Sequence, residues 1–309
     1  MARNFSNLPA APRGKTGWPW TGGPVSECDF TDSPSAPRIT IVTPSYNQGE
    51  FLEEAIRSVL LQGYPNLEYF IIDGGSTDQS LEILRKYEPW LDHWVSEPDR
   101  GQSHALNKGL ARATGVIAGW LCADDLLLPG ALGAIVELRQ QQPKAVVWCG
   151  ACQDIDREGN PLRLVFPKPG TRSELADWWC PAVIPQSSAL FDLQACRAAG
   201  LIEERLHFVM DVALWMRLAE QGRFAVTSKI LSCNRVYPET KSMRDAPMRE
   251  VELMAACVYL GEREVARRRL TVRFFEMLTT RQILGILWHN WGRSLRYFLS
   301  SWMGGDKRK

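Results

Sequence analysis

Between Arg38 and Gln142 the chain alternates short β-branched runs with helically spaced apolar residues, and this rhythm restricts the fold more than any other feature of its 309 residues. Arg38–Thr43 (RITIVT) reads as a strand ended by Pro44. Glu50–Leu61 then spaces Leu52, Ala55, Ile56, Val59 and Leu60 along one helix face, with Asn47 and Glu50 as an N-x-x-E cap ahead of it. Leu67–Asp73 is the second strand, and Ser76 with Gln79 makes a capping box for a helix reaching Tyr87. His93–Ser96, Gln102–Ala113, Val116–Cys122 and Pro129–Gln142 continue the alternation. A βαβαβαβα order predicts an α/β fold, a mostly parallel sheet flanked by helices. Beyond Val146 the rhythm loosens. Ala145–Trp148 and the turn at 156–160 read as strands and a hairpin, Asp192–Ala199 and Val212–Gln221 as helices, Phe224–Ile230 as a strand, and the chain from about Ala246 as basic helix.

In open parallel sheets, ligands bind beyond the carboxyl ends of the strands. Three of those ends are polar here: Thr43-Pro44-Ser45-Tyr46-Asn47, Asp73-Gly74-Gly75-Ser76-Thr77-Asp78 and Ala123-Asp124-Asp125. Turns favour such residues anyway, but three successive strand ends point to one converging site. Adjacent carboxylates repel unless a cation lies between them and an anionic ligand. Asp124-Asp125 therefore fits a divalent metal bound with a diphosphate; a helix cap beside a solvated carboxylate is the alternative reading.

With these motifs in view, residues 38 to about 240 resemble the family 2 glycosyltransferases of GT-A fold. The pieces are TPSYNQ (43–48), IIDGGSTDQS (71–80), EPDRGQSHALNKGL (97–110), WLCADDLLLPG (120–130), PQSSALF (185–191) and FVMDVALWMRLAEQG (208–222), in the family's order. The resemblance implies a Rossmann-like sheet and an inverting, metal-dependent hexosyl transfer from a nucleotide sugar, with a UDP-sugar favoured. It makes Pro44, Ser45 and Tyr46 the segment that holds the base, and Asp73 an acceptor for the base edge. Asp99 and Lys108 fall near nucleotide and sugar, Asp124 on the ribose and sugar side, Asp125 on Mn²⁺ or Mg²⁺, and Asp211 becomes the catalytic base. Asp73 also reads as an Asx-turn, Lys108 as a solvated helix face and Asp211 as a helix cap. Two positions depart from the family pattern: Ala213 stands where relatives often carry a second acid, and Tyr237 where they often carry His. The implied acceptor is a glycan or lipid-linked hydroxyl in polysaccharide, lipopolysaccharide or glycolipid synthesis. A sugar-1-phosphate nucleotidyltransferase would need a Gly-rich, basic first strand end, which TPSYNQ lacks; a non-catalytic carbohydrate-binding protein is the other alternative.

The implied division is an N-terminal arm at 1–37, a catalytic domain at 38–245 whose halves meet after Asp125, and a tail at 246–309. The Pro/Gly-rich arm contains Gly14-Lys15-Thr16, but Pro9 stands where a P-loop needs its first Gly, and Trp18-Pro19-Trp20 follows where a helix should open. Trp18 and Trp20 are candidates to pin the arm. Lys+Arg number 36 against 35 Asp+Glu, so nothing draws the whole chain to nucleic acid. The excess is local: from Gly261 to Lys309 there are eleven basic and four acidic residues, a net of +7.

Within this tail Ile283, Leu287, Trp291, Leu295, Phe298 and Trp302 recur at helical spacing, ahead of Lys307-Arg308-Lys309. Two readings stay open: a helix lying on an anionic membrane surface, or a helix docked on protein. His289, Asn290, Arg293 and Arg296 argue against a spanning helix. With no apolar leader and eight scattered cysteines, the expected setting is reducing and cytoplasmic, with a peripheral hold on the inner membrane face under the first reading. Cys149 and Cys152 form a C-x-x-C in a strand-like run without a second pair, which favours structural thiols over zinc or redox chemistry.

Overall fold

The computed structural model describes residues 7–21, 36–177 and 182–277. The elements run β1 (Ile39–Ser45), α1 (Gly49–Leu60), β2 (Leu67–Asp73), α2 (Ser80–Tyr87), β3 (His93–Ser96), α3 (Gln102–Arg112), β4 (Ile117–Trp120), β5 (Leu126–Leu127), α4 (Ala131–Gln141), β6 (Ala145–Ile155) and β7 (Pro161–Val165). They continue as α5 (Arg172–Ala176), β8 (Ala189–Asp192), α6 (Leu193–Ala198), α7 (Met210–Leu218), β9 (Arg223–Arg235), α8 (Lys241–Arg244), α9 (Ala246–Tyr259) and α10 (Arg263–Met277). The sheet order is β3-β2-β1-β4-β8-β6-β9-β5, with β7 on β6.

The first four strands of that order are parallel, as the alternating pattern predicts. β1 and β2 are buried at every position, which suits strands covered by helices on both faces. The other half is mixed. β8 runs antiparallel between β4 and β6, β7 pairs antiparallel with β6 and β5 with β9, and β6 with β9 is parallel. Leu52, Ile56, Val59 and Leu60 of α1 pack with Ile39, Ile41, Tyr69 and Ile71 in the main core.

The helix starts differ from the expected caps. Asn47 takes a left-handed φ of 51°, tolerable for Asn, and its side chain accepts from Thr77 N–H instead of capping α1. Ser76 donates to Asp73, so the capping box with Gln79 does not form. One residue replaces both: Asp78 accepts from Gly49 N–H at 2.7 Å and Ser80 N–H at 3.0 Å, serving the first turns of α1 and α2 together. Those contacts hold its carboxyl below the usual carboxylate range against the opposing effect of burial.

The described part of the N-terminal arm is pinned, with Trp20 buried and the Trp18 indole donating to Leu127 O. The clamp is Arg57 of α1, only 5% exposed. It donates to the carbonyls of Pro9, Pro19 and Trp20 and to the Tyr87 hydroxyl, and its guanidinium lies 5.5 Å from the Trp20 ring centre. Arg57→Ala removes these charge-assisted bonds and should cost about 2–4 kcal/mol. Urea unfolding of the full chain measures this; a loss below about 0.5 kcal/mol would contradict the clamp.

The chain divides into two compact units, Met1–Ala256 and Cys257–Lys309. The apolar face expected over Ile283–Met303 lies outside the described residues. No helix of the described residues is long and apolar enough to cross a membrane. Cys122, Cys149, Cys152, Cys196 and Cys233 carry free thiols. Burial pushes Cys149 up to about 12 and Cys152 up to about 11, which suits inert structural thiols.

Candidate active site

The parallel register sets the donor side. Ser45, Asp73 and Ser96 are neighbours across the ends of β1, β2 and β3. Pro44 and Ser45 are buried, while Tyr46, the next residue, is 63% exposed. The Ser45 hydroxyl is buried without a hydrogen-bond partner among the described residues. Gly74 lies against both Tyr46 and Asp99: a Cβ there would come within 2.9 Å of Asp99 Oδ2 and 3.3 Å of the Tyr46 ring. A side chain at Gly74 would have to displace the Asp99 carboxylate. Gly75 follows at φ +84°, a second position that side chains rarely adopt. Tyr46 and the half-buried Asp99 thus lie on either side of Gly74.

Asp73 holds the turn that follows β2. It is fully buried, and its carboxylate accepts from Gly75 N–H, Ser76 N–H, the Ser76 hydroxyl and the Ser96 hydroxyl. Oδ2 takes three of these bonds and Oδ1 one, so Oδ1 keeps acceptor capacity. In this arrangement Asp73 shapes the Gly-Gly turn, the Asx-turn reading. Lys108 also spends its charge locally, on Glu97 at 2.8 Å. It braces the segment that carries Asp99.

Asp124 and Asp125 follow β4, and their carboxylates lie with Cys122 Sγ in a group whose ligand atoms are all within 4.8 Å of one another. Asp125 is 4% exposed and accepts from Arg235 N–H through Oδ1. Asp124 is less buried and accepts from the Tyr237 hydroxyl at 3.1 Å. Burial raises the Asp125 carboxyl, and neighbouring Asp124 raises it further. Burial also raises Asp124, against the lowering effects of its hydrogen bonds, Arg235 and Lys241. A cation between them would relieve this strain on the ionised forms. The donor set suits a hard cation through its oxygens. Cys122 is less suited, because burial and both carboxylates keep its thiol protonated, and it bonds instead with Gln102 and Gln186.

The position that departs from the family as Tyr237 therefore touches the acidic pair directly. Burial and Asp124 raise its phenol, which keeps it a hydrogen-bond donor. Arg235 secures the same loop from below, donating to Asp124 O, Asp156 O and Arg157 O and pairing with Glu54 at 3.0 Å.

Asp211 is the second residue of α7 and accepts from Val212 N–H. It does not cap the helix; Val209 occupies that position without a side-chain bond. The missing cap comes from α9. Glu252 accepts from the N–H groups of His207, Phe208 and Val209, at 2.8, 2.6 and 3.0 Å for the shortest contacts. On the sheet side, Trp215 of α7 stacks on Trp120 of β4, with ring centres 5.9 Å apart and planes within 10°. Burial raises the Asp211 carboxyl, while Lys241 and Arg249 oppose the shift.

Lys241, Gln102, Cys122 and Glu252 were not singled out in the sequence. Cys122 carries a signal, two residues before Asp124 at a strand end. Lys241 and Glu252 lie in a polar helical stretch with none. Lys241 donates to Gln102 Oε1 at 2.7 Å, and Asp211, Glu252, Asp124 and Cys122 are within its electrostatic reach.

Residues 40–191 match the family described as glycosyl transferase family 2. An uncharacterized glycosyltransferase of Rickettsia typhi is 27% identical over 215 residues, 65% of each chain. The chondroitin synthase of Escherichia coli is 28% identical over 214 residues, 67% of this chain and 30% of that one. The chain thus spans less than two thirds of the length of either relative. Among solved structures, Staphylococcus aureus TarS residues 1–349 with UDP-GlcNAc has a TM-score of 0.57 at 17% identity, covering 72% of this chain and 66% of that one. The mannosyltransferase PcManGT of Pyrobaculum calidifontis, in complex with GDP-Man and Mn²⁺, has a TM-score of 0.54 at 19% identity, covering 87% and 84%. These structural likenesses show the fold.

Proposed function

We propose, from the premise that the chain belongs to the family 2 glycosyltransferases through residues 40–191, that it transfers a hexosyl group from a nucleoside-diphosphate sugar to a hydroxyl acceptor with inversion. The observation that carries this reading is the pairing, around Lys241, of a half-buried carboxylate on α7 with a two-carboxylate group after β4. Tyr46 and Asp99 would hold the base, and Asp124 and Asp125 a Mn²⁺ or Mg²⁺ ion. Such a cation, when bound, supplies Lewis-acid stabilisation of a departing diphosphate.

Asp211 takes the proton of the acceptor hydroxyl. The acceptor oxygen forms its bond to the anomeric carbon while the bond from that carbon to the phosphate oxygen breaks. The nucleoside diphosphate leaves from the opposite face with the electron pair. The protein contributes position and charge and forms no covalent bond. TarS with UDP-GlcNAc supports a UDP-sugar, and the chondroitin synthase supports a glycan acceptor, as in envelope polysaccharide synthesis. A lipid-linked acceptor rests on the family resemblance, and a peripheral membrane hold on the basic tail of the sequence.

Calorimetry with UDP, GDP and dTDP tests the donor half. One of the three should bind with Mn²⁺ present and lose most of its affinity in a chelator. No binding by any of them would contradict the reading and favour a non-catalytic carbohydrate-binding role.

A further inference from the structure

We propose that the Lys241 ammonium is a contact for the distal phosphate of the donor, a protein-borne positive charge that acts on the leaving diphosphate beside the cation. This rests on the donor reading above and goes beyond it, because neither the family motifs nor the acidic pair assigns Lys241 a part.

The placement is set by three linked contacts. Lys241 Nζ donates to Gln102 Oε1 at 2.7 Å. The Nε2 of that same amide donates to Cys122 Sγ at 3.2 Å. Cys122 Sγ belongs with the Asp124 and Asp125 oxygens to the group within 4.8 Å. One amide therefore ties the ammonium to the edge of the acidic pair. A second tie comes through the chain: Thr240 N–H and Thr240 hydroxyl both donate to Tyr237 O, closing a turn. That turn presents Tyr237 to Asp124 and opens α8 with Lys241.

The ammonium is under-used by the protein. It carries three donors, and Gln102 takes one. Among the described residues no carboxylate oxygen lies within 4.0 Å of it, although Asp211, Glu252 and Asp124 all act on it electrostatically. A lysine serving only to neutralise these acids would be expected to bond one of them. A largely buried ammonium held off every carboxylate by a neutral amide is costly unless an anion completes its shell. The Phe208 ring, 5.7 Å away, backs it on another side. A diphosphate bound at Asp124-Asp125 has the charge to complete that shell. Lysine is suited to this as a compact point charge.

The test is calorimetry on the full chain and on Lys241→Met and Lys241→Arg, with UDP, UMP and uridine, and with GDP and GMP in parallel, in Mn²⁺ and in chelator. Lys241→Met should weaken the bound nucleoside diphosphate about 10- to 100-fold, as for loss of a charge-assisted bond. Monophosphate and nucleoside should change by less than about threefold, and Lys241→Arg should recover most of the loss. The loss should persist in chelator, because the contact does not run through the cation. Unchanged diphosphate affinity in Lys241→Met overturns the proposal. So does an equal loss for diphosphate, monophosphate and nucleoside, or a loss that Lys241→Arg does not repair, either of which marks a structural role. Thermal melting of each variant detects misfolding, against which Lys241→Arg is the second arm. If the wild-type chain binds no nucleoside diphosphate, the donor reading itself fails and this proposal with it.

Discussion

Asp211→Asn is expected to keep donor affinity and to lower turnover by roughly 10²–10⁴-fold. The amide is nearly isosteric with the carboxylate and can still accept from Val212 N–H, so the local bond survives. The frame of α7 does not depend on this side chain: Glu252 caps the helix and Trp215 stacks on Trp120. What disappears is the group that takes the acceptor proton. The pH dependence has a definite sign. Burial raises the Asp211 carboxyl, and catalysis needs its ionised form. Activity should therefore fall as pH drops through a value above that of an ordinary aspartate, about 4. The limb assigned to Asp211 should vanish from the residual activity of Asp211→Asn. A variant that turns over like wild type, or one that is folded and cannot bind donor, would remove Asp211 from the base role.

Asp125→Ala and Asp124→Ala should each abolish transfer and the Mn²⁺ dependence of diphosphate binding. The two carboxylates share one cluster, and either loss halves its charge. Their side effects should differ. Asp125 is 4% exposed and holds Arg235 N–H, so Asp125→Ala also leaves a buried donor without its acceptor, a cost of about 1–3 kcal/mol. Asp124 holds the Tyr237 hydroxyl at a less buried position, so Asp124→Ala should be the milder change in stability. Calorimetry of UDP or GDP binding, with and without Mn²⁺, reads the first effect and urea unfolding the second. Binding that stayed equally Mn²⁺-dependent would contradict the assignment.

The parts of this fold that were legible in the sequence are those written in short-range pattern. β1 to β4 and their helices carry period-2 or period-3.6 apolar spacing, and each appears close to where that spacing places it. β5 has two residues, too few for any period to register. β9 extends over thirteen residues, and its mostly buried end, 231–235, carries Ser232, Asn234 and Arg235, so only Phe224–Ile230 reads as a strand. The helix caps failed for a different reason. Asp78 serves two helices at once, and Glu252 reaches α7 from more than forty residues away; such bonds depend on tertiary placement. The same limit applies at the site. Asp124, Asp125 and Asp211 sit in motifs, so residue type and order point to them. Asp73 also sits in a motif, but its bond from Ser96, on another strand, is set by the sheet register and not by the motif. Lys241 is adjacent to nothing distinctive in sequence and reaches the site through Gln102 on α3.

The most direct measurement of the central claim is a donor screen. UDP-, GDP- and dTDP-sugars are incubated with the full chain, with Mn²⁺ or with chelator, and released nucleoside diphosphate is quantified. One donor class should be slowly hydrolysed without any acceptor, the release should require the cation, and Asp124→Ala and Asp125→Ala should abolish it. Release that is insensitive to chelator and to both substitutions, or no release from any donor by a chain shown to be folded, would contradict the account.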